Sequence, residues 1–174
     1  MPSATERQIA HLIDPAHVKA IDVLGPTIQF LTAPEDSTAP CIMRGSIPAG
    51  VSIPLHSHGD PETFIVISGT VEGLIHRETD FEWVRVNPGD IFHVPGHAKH
   101  AWRNEGLVPA VMIIVSTSRM GRLLQELGRP MLPLRPVAPP APAEIQRFLQ
   151  TSERYGYWNA SPAENAQVGL ALPA

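Results

Sequence analysis

Residues 50–69 read GVSIPLHSHGDPETFIVISG, with His56 and His58 one residue apart, Glu62 four further on and a glycine at each end. Side chains at i and i+2 of a β-strand point to the same face, so the two histidines can offer ring nitrogens to one point in space. Glu62 follows the short turn Gly59, Asp60, Pro61 and opens a β-rich run, Thr63 to Ile67, from which it can lean back to that point. Downstream, residues 89–104 read GDIFHVPGHAKHAWRN, and a third histidine, His100, follows a turn built from Pro88, Gly89, Pro95 and Gly96. The pattern predicts a metal site on a sheet, with His56, His58, Glu62 and His100 as the ligands.

The spacing makes the pattern specific. A glycine, five residues, H-x-H, three residues, E, six residues and a glycine resembles the first motif of the cupin superfamily at every position. The second stretch resembles the second cupin motif through Gly89, Pro95, His100 and Asn104. It departs once, because the family's glycine two residues after the proline is His97 here, with Gly96 one position earlier. The resemblance implies an all-β fold, the cupin double-stranded β-helix or jelly-roll barrel, carrying one divalent metal ion per chain. The run of barrel, Leu-rich helix, proline linker and helix ending in a Tyr-Gly pair is similar to small single-domain (cupin 2 type) proteins of the quercetin-dioxygenase-like group. Cupin barrels pair through sheet faces, so the resemblance also implies a homodimer.

Composition bounds the rest. The chain has 174 residues, long enough for one domain with a core and appendages. A formal net charge of -4 and the lack of a basic run argue against nucleic acid or an anionic membrane as partner. Cys41 is the only cysteine, which excludes an internal disulfide and favours a reducing compartment. With no signal-like segment at the N-terminus and no run of 18 apolar residues, the expected location is the cytoplasm.

Three regions are expected: an arm over 1–17, a barrel over 18–118 and a helical extension over 119–174. Ile9, Leu12 and Ile13 have helical spacing, which predicts a short N-terminal helix over 6–14 stopped by Pro15. Short runs punctuated by Gly, Pro, Asn and Asp predict strands at 27–31, 41–46, 52–58, 63–68, 70–76, 81–86, 90–94, 100–104 and 110–117. Met120, Leu123, Leu124 and Leu127 then form an apolar stripe over 119–127, with Gly128 at the C-cap. Six prolines between 130 and 142 predict a stiff connector. A second helix is expected over 143–155, with Pro142 at its start and Gly156 past its end. Neither helix can stand alone in water at this length, so both must dock on the barrel or on another subunit.

Three imidazoles and a carboxylate suit Fe, Mn, Ni, Zn or Co, and affinity order does not choose among them; by resemblance, iron comes first. Four protein ligands leave positions open on an octahedral ion, the mark of a catalytic rather than a closed structural site. Glu62 has two readings, as a ligand or as a catalytic general base. Phe64, Val66 and Trp102 share faces with the ligands and are candidates for the substrate pocket, which would suit a small organic molecule. Arg44 and Arg103 are the guanidinium candidates for a substrate carboxylate, while His76, His93 and His97 read as surface or turn histidines. The expected activity is that of an oxygen-dependent dioxygenase or related oxidoreductase. The alternatives are a metal-dependent lyase or isomerase and a non-catalytic small-ligand-binding protein.

Overall fold

The computed structural model describes residues 9–78, 80–131 and 140–171. In chain order the strands are β1 (Ala20–Asp22), β2 (Thr27–Phe30), β3 (Cys41–Ile47), β4 (Ser52–Ser57), β5 (Glu62–Ser68), β6 (Val71–Arg77), β7 (Asp80–Val86), β8 (Ile91–Val94), β9 (His100–Arg103) and β10 (Ala110–Ser116). They are followed by α1 (Ser118–Leu127), β11 (Arg129–Pro130), α2 (Pro142–Arg154), β12 (Trp158–Asn159) and α3 (Pro162–Gln167). Two antiparallel sheets result, one in the order β11-β1-β2-β3-β10-β5-β8 and the other β12-β4-β9-β6-β7. The fold is a jelly-roll β-sandwich with C-terminal helices.

Burial alternates along the strands, and this builds the sandwich. Along β3 and β10 every second residue is buried, so Cys41, Met43 and Ile47 meet Ala110, Met112 and Ile114 on the inner face of the larger sheet. Phe64, Val66, Val71, Val86, Val94 and Trp102 complete this interior from both sheets. A second, smaller cluster lies on the outer face of the five-stranded sheet, where Leu55, Leu74 and Ala101 are covered by Val168 and Leu170 from the C-terminal segment.

α1 docks on the barrel as its stripe requires, burying Met120, Leu123 and Leu127. Thr117 caps its first turn by accepting a hydrogen bond from the Met120 amide. Gly128 does follow the helix, but its φ of -67° is ordinary. It is needed for space, since a Cβ there would collide with the Ile21 side chain. α2 begins at Pro142 and packs on α1, with Arg154 paired to Glu126 at 2.6 Å. The proline connector over 132–139 lies outside the described residues. No helix among the described residues is long and apolar enough to cross a membrane.

The N-terminal helix is a correction. Residues 6–8 lie outside the described residues, and 9–14 are irregular; the first helical turn is a 3-10 turn at Pro15–His17, whose N-cap is Asp14. Leu12 is 94% exposed, so the apolar spacing meets no surface, and a helix of that length does not hold on spacing alone. β1, β11, β12 and α3 are further differences. The first three are two- or three-residue pairings too short to show periodicity. α3 did carry a signal, the capping box of Ser161 and Glu164 with Pro162 at its first position.

Candidate metal centre

The three histidines come from the five-stranded sheet and the carboxylate from the other. His56 lies on β4, His58 follows it directly, and His100 opens the neighbouring β9. A bulge shapes this pairing. Ile53 pairs with Trp102 and His56 with His100, so three steps on β4 match two on β9, with Pro54 and Leu55 in between. Plain alternation would send Ile53 and His56 to opposite faces. The extra residue instead lets Ile53 pack inward and still turns His56 toward the interior, while Leu55 joins the outer cluster.

One ring nitrogen from each of His56, His58 and His100 lies within 4.8 Å of the other two. Glu62 is not part of that mutual cluster, yet its Oε2 stands 3.2 Å from Nε2 of His58 and 3.2 Å from Nε2 of His100. Both Nε2 atoms are buried and, apart from these carboxylate contacts, have no hydrogen-bond partner. His56 Nδ1 lies 2.7 Å from the Pro54 carbonyl and His100 Nδ1 3.0 Å from the Ala98 carbonyl. A carbonyl only accepts, so each Nδ1 donates, and in the neutral ring Nε2 keeps a free lone pair. Unpaired buried nitrogens are costly, and a divalent cation held by these lone pairs and the carboxylate removes that cost. The residues therefore fit a metal ion.

The electrostatics agree. Burial, then the nearby imidazoles of His100 and His58, push His56 down to about 3 and keep it neutral. Burial alone would raise the Glu62 carboxyl, but the imidazoles of His100 and His58 outweigh it and lower it to about 2. His56 is thus held neutral and Glu62 ionised, the protonation states that metal ligation requires of them.

Turns fix this geometry. The His97 amide donates to the His58 carbonyl at 2.6 Å, tying the second motif to the end of β4. At Gly96 a Cβ would lie 2.7 Å from the Gly59 carbonyl oxygen, which explains a glycine there. His97 itself takes the left-handed conformation, φ 68°, at the position where the resembling motif has glycine. Asn104 is buried and clamps loops, donating to the Ile47 and Val108 carbonyls and accepting from the Gly106 amide.

The other histidines stay outside the cluster. His93 is exposed and contacts Thr63 Oγ1 at 3.0 Å, His97 is an exposed turn residue over Gly59, and His76 lies against Phe81 with the two rings tilted. Neither guanidinium candidate faces the interior, because Arg44 donates to Gln29 and Arg103 pairs with Glu72 over the Trp83 ring. Phe64, Val66 and Trp102 are all buried inside the barrel, and the Trp102 ring packs against Phe64 and Phe92 at 4.6 and 4.7 Å. Trp102 Nε1 has no hydrogen-bond partner there.

Two neighbours of the site escaped the sequence reading. Asp60, inside the first motif, is buried and accepts hydrogen bonds from Thr117 and, at 2.7 Å, from Arg119. Tyr157 stacks on His58 at 4.4 Å between ring centroids. Its phenol is held well above the ordinary tyrosine range by burial and by the Asp60 and Glu62 charges. The available signal was the Tyr155-Gly-Tyr-Trp158 run, which holds both tyrosines of the chain but gives no spacing that links it to the motifs.

Comparison with known proteins agrees with this geometry. Residues 43–116 match the Cupin_2 family, described as a cupin domain. No curated protein matches the chain. Among solved structures, the polyketide cyclase RemF from Streptomyces resistomycificus is similar at 16% identity, with a TM-score of 0.53 over 63% of this chain and 80% of that one. A predicted oxalate decarboxylase from Thermotoga maritima is similar at 19% identity, TM-score 0.52, over 62% of this chain and 98% of that one. An RmlC-like cupin from Shewanella frigidimarina is similar at 17% identity, TM-score 0.52, over 63% and 92%. At these identities the structures speak for the fold alone, and the family match together with both motifs identifies residues 43–116 of this chain as a cupin domain.

Proposed function

We propose that this chain is an oxygen-dependent oxidoreductase of the dioxygenase type, with one divalent ion, iron first, held by His56, His58, His100 and Glu62. The observation that carries the reading is the convergence of three histidine nitrogens, two of them buried without partners, beside the Glu62 carboxylate. A bound ion supplies Lewis acidity and open positions for a small ligand. Glu62 fits the ligand role better than the base role, since a carboxyl at about 2 is a poor proton acceptor near neutral pH. Phe64, Val66 and Trp102, buried in the barrel, give its interior an apolar lining, which favours a small electron-rich organic substrate such as an enediol, diketone or catechol-like compound. In this reading the protein works in the cytoplasm as a homodimer.

The test is oxygen uptake by protein reconstituted anaerobically with Fe(II). Consumption in step with loss of such a substrate supports the proposal. Turnover that continues without oxygen and with Zn(II) in the site moves the function to a lyase or isomerase, a reading that gains interest from the cyclase and decarboxylase names among the structural neighbours.

A further inference from the structure

The three histidines are not held alike. His56 and His100 are each fixed through Nδ1 by a carbonyl of their own strand or turn. His58 has no such anchor, and neither of its buried ring nitrogens has a hydrogen-bond partner. What lies against its ring is Tyr157, stacked at 4.4 Å with 28° between the planes and delivered from a segment nearly a hundred residues downstream.

Tyr157 is itself firmly placed. Its amide donates to the Ser152 carbonyl at 3.0 Å, and its hydroxyl lies 2.9 Å from Met120 Sδ and 3.5 Å from Asp60 Oδ2. Just beyond it, β12 pairs with the ligand strand, Trp158 against Ser57 and Asn159 against His56. On the other side Arg119 bridges the two parts, donating to Asp60 at 2.7 Å and to the Tyr155 carbonyl. The segment 155–159 is thus fastened at both ends of Tyr157, to α1 and to β4.

Building on the metal-centre reading, we infer that Tyr157 is a positioning residue of that centre: its ring sets the plane of His58, and thereby the affinity of the site for a divalent ion. A ligand held only by packing loses its preferred orientation when the packing is removed, and ion binding must then restrict a ring that was free to turn. The phenol oxygen is directed at Asp60 and Met120, so the ring carries this effect and the hydroxyl is secondary.

The experiment is Zn(II) affinity by chelator competition on the full chain, with the Co(II) absorption spectrum as a readout of ligand geometry. Tyr157→Leu is expected to weaken Zn(II) binding by roughly 10- to 100-fold and to shift the Co(II) bands, while Tyr157→Phe, which keeps the ring, stays close to wild type. Equal affinity in Tyr157→Leu and wild type overturns the inference, as does a loss that Tyr157→Phe shares in full. If Tyr157→Leu does not fold, the ring-proton shifts of His58 in the Zn(II)-loaded wild type decide: displacement to high field by a stacked ring supports the assignment, and its absence overturns it. A wild-type chain that binds no divalent ion sinks the metal centre and this inference together, whereas a wild type that binds metal beside an equally tight Tyr157→Leu sinks this inference alone.

Discussion

The outer faces of the two sheets are treated in opposite ways. On the five-stranded sheet, Leu55, Leu74 and Ala101 are covered by Val168 and Leu170, so the chain's own C-terminal segment seals the back of the sheet that carries the histidines. On the seven-stranded sheet, Ile113, Ile65 and Ile91 lie side by side on neighbouring strands, pointing outward. Ile67 is 50% exposed there and Ile91 67% exposed. The sheet that holds the three histidines is covered from within the chain, and the other keeps an apolar face, the one on which the proposed homodimer would form.

The largest effect that tests this contrast is on metal content. His100→Ala is expected to reduce occupancy from one ion per chain to near none, measured by elemental analysis of protein purified without a histidine tag, whereas Ile91→Lys on the opposite sheet leaves it intact. Full occupancy in His100→Ala breaks the assignment of the histidine cluster as the metal centre. Next comes assembly: Ile91→Lys is expected to halve the mass seen by light scattering, and an unchanged mass removes the bare face as the dimer contact.

Stability separates the faces more finely. Leu74→Ala, at a buried position, is expected to cost about 2–5 kcal/mol in urea unfolding, and Ile91→Ala, at an exposed one in the monomer, no more than about 0.5 kcal/mol. The comparison is made at low protein concentration, where a dimer contributes least; similar costs for both would mean the faces are not differently covered.

The gentlest effect is acid sensitivity of the metal-free protein. Folding lowers His56 from 6.5 to about 3 and Glu62 from 4.5 to about 2. As pH falls, the unfolded chain takes up protons that the folded chain refuses, so the stability these groups confer is present above about 6.5 and lost toward 3 for His56, and lost between 4.5 and 2 for Glu62. Melting temperatures from pH 7 to pH 4 are expected to fall less in His56→Gln, which has no imidazole to protonate; an identical slope removes His56 from the account.

What the sequence revealed follows the length of each signal. The barrel strands were legible because β-rich runs such as those of β3, β5 and β10 are bounded by Gly and Pro, and the candidate site because His56, His58, Glu62 and His100 sit at fixed offsets within two local motifs. The bulge at Pro54 and Leu55 was not legible, since one inserted residue leaves the hydrophobic pattern ambiguous. Tyr157 was not legible either, because its partner His58 is set by a three-dimensional return of the chain and not by spacing. The apolar spacing of Ile9, Leu12 and Ile13 misled because periodicity predicts a helix only where a surface exists to receive its face.

The pairing of β12 with β4 also imposes an order on biosynthesis. Ser57 leaves the ribosome about a hundred residues before Trp158, which at 5–20 residues per second is roughly 5–20 s. Throughout that interval the strand bearing His56 has an unpaired edge, and His58 lacks the ring that lies against it in the finished protein. A nascent chain can present three histidines to passing ions well before it can hold one of them still. In the proposed metal centre, loading in the finished geometry therefore waits until the segment 155–159 has emerged and docked.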